Sequence, residues 1–184
     1  MKTILLVLFY FLPLSAVASV LVMNPAAHCS SGVSKINISV FPDKADSAKF
    51  PYSYKKFPST LATAKTTVIV LPGGPGDTLL ESTPSKGFPY GGVSTDQFHI
   101  IYTESRGLGC NQLASGDFPN TAFRMEYLAQ DVLSIIRSEG LKDYIVYGAS
   151  FGTVHASYVA HLIEGAGLPQ PKAVVLEGTL GRGV

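Results

Sequence analysis

The chain is 184 residues long, with 14 Lys and Arg against 13 Asp and Glu, a net charge of +1 and only 15% charged residues. That balance lacks the basic excess drawn to phosphate backbones and argues against a nucleic-acid partner. No internal repeat or low-complexity tract interrupts it, and one domain's worth of chain remains once the N-terminal segment is set aside.

That segment reads as a secretory signal peptide. Lys2 supplies a positive start, Ile4 to Leu14 an apolar core, and Ala16-Val17-Ala18 a small-x-small cleavage site before Ser19. The expected organisation is a signal peptide over 1–18 and a domain over 19–184, exported to the periplasm or medium. The alternative is an uncleaved anchor, because Ile4 to Met23 is nearly long enough to span a bilayer. Pro13 and the Ala-x-Ala site favour cleavage, and any membrane contact would run through this segment. Ala26-Ala27-His28, before Cys29, does not resemble a lipid-attachment box. Export would let Cys29 and Cys110 pair, although sequence says nothing about their distance.

Next along the chain, Lys35-Ile36-Asn37-Ile38-Ser39-Val40 alternates apolar and polar residues, as a strand with one wet face does. Lys49-Phe50-Pro51-Tyr52-Ser53-Tyr54-Lys55-Lys56 mixes basic and aromatic residues and reads as a solvated hairpin or loop. Four later runs are continuously apolar: Thr67 to Leu71, Ile100 to Tyr102, Tyr144 to Tyr147 and Ala173 to Leu176. Such runs imply strands covered on both faces, as in parallel sheets. Between them, Asn120-Thr121 can cap a helix running to about Glu139, with Met125, Leu128, Val132, Ile135 and Ile136 on one stripe and Gly140 as its stop. Thr153 to Ile163 is apolar nearly all round and predicts a buried helix. Strands alternating with helices define an α/β class.

The chemistry centres on Gly148-Ala149-Ser150-Phe151-Gly152, between a short apolar strand and a helix. A Gly-x-Ser-x-Gly pentapeptide on a strand-to-helix turn is the nucleophile-elbow pattern, with Ser150 as nucleophile. Gly148 and Gly152 suit it because side chains there would collide with the tight turn. The partners of a catalytic serine are harder to find. The 34 residues after Ser150 hold no Asp, only Glu164 and Glu177, and only His155 and His161. His155 sits roughly 7.5 Å down the helix axis and turned about 140° away, and His161 lies roughly 16 Å off. His99 opens a strand at the end opposite the catalytic rim, and His28 has no predictable place. The pattern shows a nucleophile without its base.

Two other segments follow strands. Pro72-Gly73-Gly74-Pro75-Gly76 places glycines where a backbone can approach a substrate and donate N–H groups. A turn in this position supplies one oxyanion-hole donor, here Gly74, and the residue after the nucleophile, Phe151, supplies the other. No Gly-Lys-Ser/Thr follows, which argues against a phosphate-binding loop, and no metal or other cofactor is expected. Tyr102-Thr103-Glu104-Ser105-Arg106-Gly107-Leu108-Gly109, taken alone, reads as a surface loop with a solvated arginine.

In combination these segments resemble the proline iminopeptidases and related tripeptidyl aminopeptidases. Pro72 to Gly76 is similar to their His-Gly-Gly-Pro-Gly oxyanion motif, Glu104 to Gly109 to their Asp-Gln-Arg-Gly-x-Gly segment, and Gly148 to Thr153 to their elbow. Asn120-Thr121, Asp131 and Arg137 match the helix before the elbow, and Leu176-Glu177-Gly178 the strand after it. The similarity spans roughly residues 65 to 180. Pro72 departs from the family's His, and Glu104-Ser105 from its Asp-Gln.

The resemblance implies an α/β-hydrolase fold, with a mostly parallel sheet and helices on both faces, ending here after about the sixth strand. In the family, the cap domain and the triad's acid and His follow that strand, so they are expected outside this sequence and substrate preference is not carried over. Three functions compete. The first is an exported serine hydrolase acting on small peptide substrates at their N-termini, nearly inactive as the isolated chain. The others are an esterase or lipase with the same nucleophile, and a non-catalytic binding protein on a shortened hydrolase scaffold.

Overall fold

The computed structural model describes residue 29 and residues 32–80, 83–84, 94–113 and 120–179. The expected signal peptide, its rival anchor and His28 lie outside the described residues. Among the described residues, six strands form one sheet: β1 (Val33–Ser39), β2 (Lys49–Phe57), β3 (Thr67–Leu71), β4 (His99–Tyr102), β5 (Tyr144–Ala149) and β6 (Ala173–Glu177). Their spatial order is β1-β2-β4-β3-β5-β6. β1, β2 and β4 pair antiparallel, whereas β4, β3, β5 and β6 run parallel. Three of the four continuous apolar runs became the central strands β4, β3 and β5, and every residue of β3 is buried.

β2 bears out the hairpin in the expectation of a solvated hairpin or loop and corrects its solvation. It is the second arm of a hairpin with β1, and Phe50, Tyr52 and Tyr54 are buried on it. The period-two aromatic spacing carried the strand signal, while Pro51 and the lysines at the exposed positions hid it.

Two α-helices are described, α1 (Met125–Ser138) and α2 (Phe151–Ile163). α1 starts later than Asn120-Thr121 implied. Those residues open a 3-10 turn through Phe123, and extended Arg124 precedes the helix without a side-chain cap. The Ala122 carbonyl in that turn receives a hydrogen bond from Arg106 instead. Gly140, at φ 60°, ends α1 as expected. α2 is less enclosed than its composition suggests: Gly152, Thr153, His155, Ala156, Val159 and Ile163 are buried, while Ser157 and His161 face solvent.

Strand alternation sends Ile69, Leu71, Ile101 and Val146 to one face. There they share a buried cluster with Val132, Leu133 and Ile136 of α1 and Ala156, Val159 and Ile163 of α2. Val68, Val70, Ile100, Tyr102 and Tyr147 point to the other face and pack with Leu79 and Leu80 from the segment after β3. The helices expected on that second face are not among the described residues. β6, last in the strand order, has no buried residue, with Val175 39% and Leu176 42% exposed, which corrects the expectation that this apolar run is covered on both faces.

Candidate active site

β5 delivers Ser150 to the C-terminal rim of the sheet, and α2 starts at the next residue. Ser150 takes φ 49° and ψ −118°. It is the one non-glycine residue with positive φ among the described residues. A non-glycine residue held there costs on the order of 1–3 kcal/mol, so the surrounding turn must hold it in place. The Ser150 N–H donates to the Glu177 carbonyl of β6 at 2.8 Å, and its own carbonyl accepts from Thr153 N at 2.9 Å and Thr153 Oγ1 at 2.6 Å. The side chain is exposed at the rim.

The flanking glycines are steric requirements. A methyl group on Gly148 would lie 2.1 Å from the Gly152 carbonyl oxygen, and one on Gly152 would lie 2.4 Å from that of Leu71. α2 thus starts in contact with the backbone of β5 and β3, and no side chain fits between them. That contact also brings the turn after β3 to the serine. A methyl group on Gly73 would sit 3.5 Å from Ser150 Cβ and 3.5 Å from the Ala149 carbonyl oxygen. Gly74 follows at φ 97°, where an added Cβ would lie 2.5 Å from Gly76 N, and a cis peptide joins it to Pro75. Phe151 is the first residue of α2. Its N–H is therefore among the unpaired donors at the positive end of a helix dipole.

The loop after β4 leaves the same C-terminal end of the parallel strands, and its arginine overturns the expectation of a solvated side chain. Arg106 is 2% exposed. Its Nε donates to Asp131 Oδ2 at 2.8 Å, Nη2 to Asp131 Oδ1, and Nη1 to the carbonyls of Val40 at 2.5 Å and Ala122 at 3.0 Å. One guanidinium so joins β1, the 3-10 turn and α1. Glu104 is also buried. Its carboxylate accepts the Cys110 N–H at 2.7 Å, and its carbonyl accepts from Tyr52 Oη at 2.6 Å and Asn111 Nδ2 at 2.9 Å. Gly109 is confined by that carboxylate, since a methyl group there would lie 2.4 Å from Glu104 Oε1. Cys110 is bonded to Cys29, with Cα atoms 5.3 Å apart. Asn111 was not singled out by sequence; its amide pairs with the N–H and carbonyl of Ser53 in β2, and no local pattern marks that role.

The histidines are engaged elsewhere. His99, level with Thr67 at the starting ends of β3 and β4, accepts the Ser59 N–H at 3.1 Å on Nδ1 and meets the Ala64 carbonyl through Nε2. His161 is exposed near the end of α2. His155 is 2% exposed, and Nε2 has no partner among the described residues. Burial pushes its imidazole down to about 4, against a weaker opposing pull from a hydrogen bond to the Leu128 backbone.

A buried neutral histidine makes stability depend on pH. The unfolded chain takes up the proton near pH 6.5, whereas the folded chain refuses it until about pH 4. Stability from this site is therefore present above pH 6.5 and is lost as pH falls. Asp131 acts in the opposite sense, because burial raises its carboxyl to about 7 despite Arg106. A variant isolates the histidine. The stability difference between wild type and His155→Leu should move against wild type by about 3 kcal/mol between pH 7 and pH 4. Urea titrations at both pH values check this, and a constant difference would contradict it.

Solved structures share the architecture. A probable hydrolytic enzyme from Pseudomonas aeruginosa PAO1 aligns with a TM-score of 0.55 at 15% identity, covering 81% of this chain and 42% of its own. A putative hydrolase from Agrobacterium vitis S4 gives 0.53 at 14% identity, over 80% of this chain and 52% of its own. A serine hydrolase from the polyaromatic-hydrocarbon-degrading bacterium Cycloclasticus zankles gives 0.53 at 15%, over 83% and 48%. The sheet order together with these likenesses makes the fold that of the α/β-hydrolases. This chain spans about half the length of the structures it matches. No family model and no curated protein matches the sequence. Among the described residues, no helix is long and apolar enough to cross a membrane.

Proposed function

We propose that this chain belongs to an exported serine hydrolase of the aminopeptidase type. Ser150 Oγ attacks the carbonyl carbon of a small peptide substrate, and the N–H groups of Gly74 and Phe151 hold the oxyanion of the tetrahedral intermediate. The observation that carries this reading is the conformation of Ser150. A strained serine at a strand-to-helix turn, with Gly73 packed beside it, is the arrangement a nucleophile elbow requires. The sequence motifs support the narrower peptidase assignment. The N-terminal signal pattern and the Cys29–Cys110 bond support export.

The Oγ proton needs an acceptor, and no histidine among the described residues lies at Ser150. Losing a triad member in serine proteases lowers turnover by on the order of 10⁴. The 184-residue protein alone is accordingly expected to turn substrate over slowly. Hydrolysis of leucine p-nitroanilide and p-nitrophenyl butyrate by the wild type and Ser150→Ala tests the reading. Slow anilide cleavage that disappears in Ser150→Ala is expected. Ser150-dependent cleavage of the ester alone would replace the peptidase assignment with an esterase.

A further inference from the structure

The turn that carries the proposed oxyanion donor also carries a carboxylate aimed at the same place. A methyl group built on Gly73 would lie 3.2 Å from Asp77 Oδ2 and 3.5 Å from Ser150 Cβ. Both side chains thus flank one glycine, and Asp77 Oδ2 lies within about 7 Å of Ser150 Cβ. Asp77 is exposed, so its carboxylate is open to a ligand at the rim. The motif Pro72-Gly73-Gly74-Pro75-Gly76 ends one residue short of Asp77.

A negative charge here is a poor neighbour for a developing oxyanion unless the substrate brings a compensating positive charge. We propose that Asp77 is a specificity residue that binds a cation next to the scissile carbonyl, namely the α-ammonium group of a substrate with a free N-terminus. The geometry fits that group. An α-nitrogen lies about 2.5 Å from its own carbonyl carbon, given N–Cα and Cα–C bonds of about 1.5 Å. That carbon sits about 3 Å from the attacking oxygen in a reactive pose. A carboxylate about 2.8 Å from the ammonium then lies within about 8 Å of Oγ, a span Asp77 meets.

This inference rests on the hydrolase reading but is tested by binding, without turnover. The probes are L-leucinamide and 4-methylpentanamide, which differ by the α-ammonium alone, titrated into ¹⁵N-labelled protein at pH 6.5, where that amine is charged. The amides of Gly73, Gly74 and Phe151 should shift with leucinamide at about tenfold lower concentration than with the neutral amide, the scale of one charge-assisted hydrogen bond. Asp77→Asn should bring the two titrations together, Asp77→Glu should keep most of the preference, and added salt should weaken it. Equal titration by both probes in the wild type, or a preference that survives Asp77→Asn, overturns the proposal. Labelling Ser150 with a fluorophosphonate in the same samples separates the two claims. A labelled Ser150 with no ammonium preference removes only the role of Asp77, whereas an unreactive Ser150 removes the hydrolase reading beneath it.

Discussion

Replacing Arg106 with methionine should lower stability by about 3–5 kcal/mol, a large share of what a domain of this size possesses. The cost comes from what the substitution leaves behind. Asp131 is 2% exposed, and without the guanidinium its carboxyl must either carry an unpaired buried charge or take up a proton. The carbonyls of Val40, Ala122 and Ser39 lose their donor in the same step. The double variant Arg106→Met with Asp131→Leu should be less destabilised than Arg106→Met alone, because the stranded charge is then gone. Denaturant midpoints check both. A single variant within about 1 kcal/mol of wild type would mean that the pair is dispensable.

Opening the Cys29–Cys110 bond has an expected effect of similar size. The bond closes a loop with a sequence separation of 81. Chain entropy for a loop of that length corresponds to about 4.5 kcal/mol, an upper figure since the unfolded chain retains some structure. The bridge also ties the chain just before β1 to the 3-10 turn that follows β4, where the Cys110 N–H holds Glu104. Reduced protein, or Cys29→Ser with Cys110→Ser, should unfold at clearly lower denaturant. Unchanged midpoints with and without reductant would show that the bridge adds nothing.

Arg106 also marks where sequence reading stops. The loop holding it reads as a solvated connection because nothing local shows that Asp131, on a helix 25 residues later, closes over it. The family resemblance matched both positions without showing that they meet. For β2 the hairpin was legible but its burial was not, because the aromatic alternation of Phe50, Tyr52 and Tyr54 lies among Pro51 and three lysines. The start of α1 was misplaced because Asn120-Thr121 has the chemistry of a cap, yet its turn is spent on Arg106. By contrast, β3, β4, β5 and β6 were legible at once, since continuous apolar runs bounded by turns have few other uses.

The tight turn at Gly148, Ser150 and Gly152 was legible because steric need restricts those positions to few residues. Asp77 was not. Its approach to Ser150 depends on how the chain turns through Gly74 and Gly76, both at positive φ, and residue order alone does not encode that path. Asn111 belongs with it, as a side chain that pairs with the backbone of β2 from a distant turn.

The central claim is that Ser150 is a nucleophile, and a fluorophosphonate probe tests it most directly. Such reagents react with activated serines, and even a serine without its base acylates slowly when an oxyanion site is formed. Intact mass and peptide mapping after prolonged incubation should show one adduct, on the peptide containing Ser150, absent from Ser150→Ala. An adduct elsewhere that persists in Ser150→Ala, or no adduct on a folded protein, would contradict the assignment.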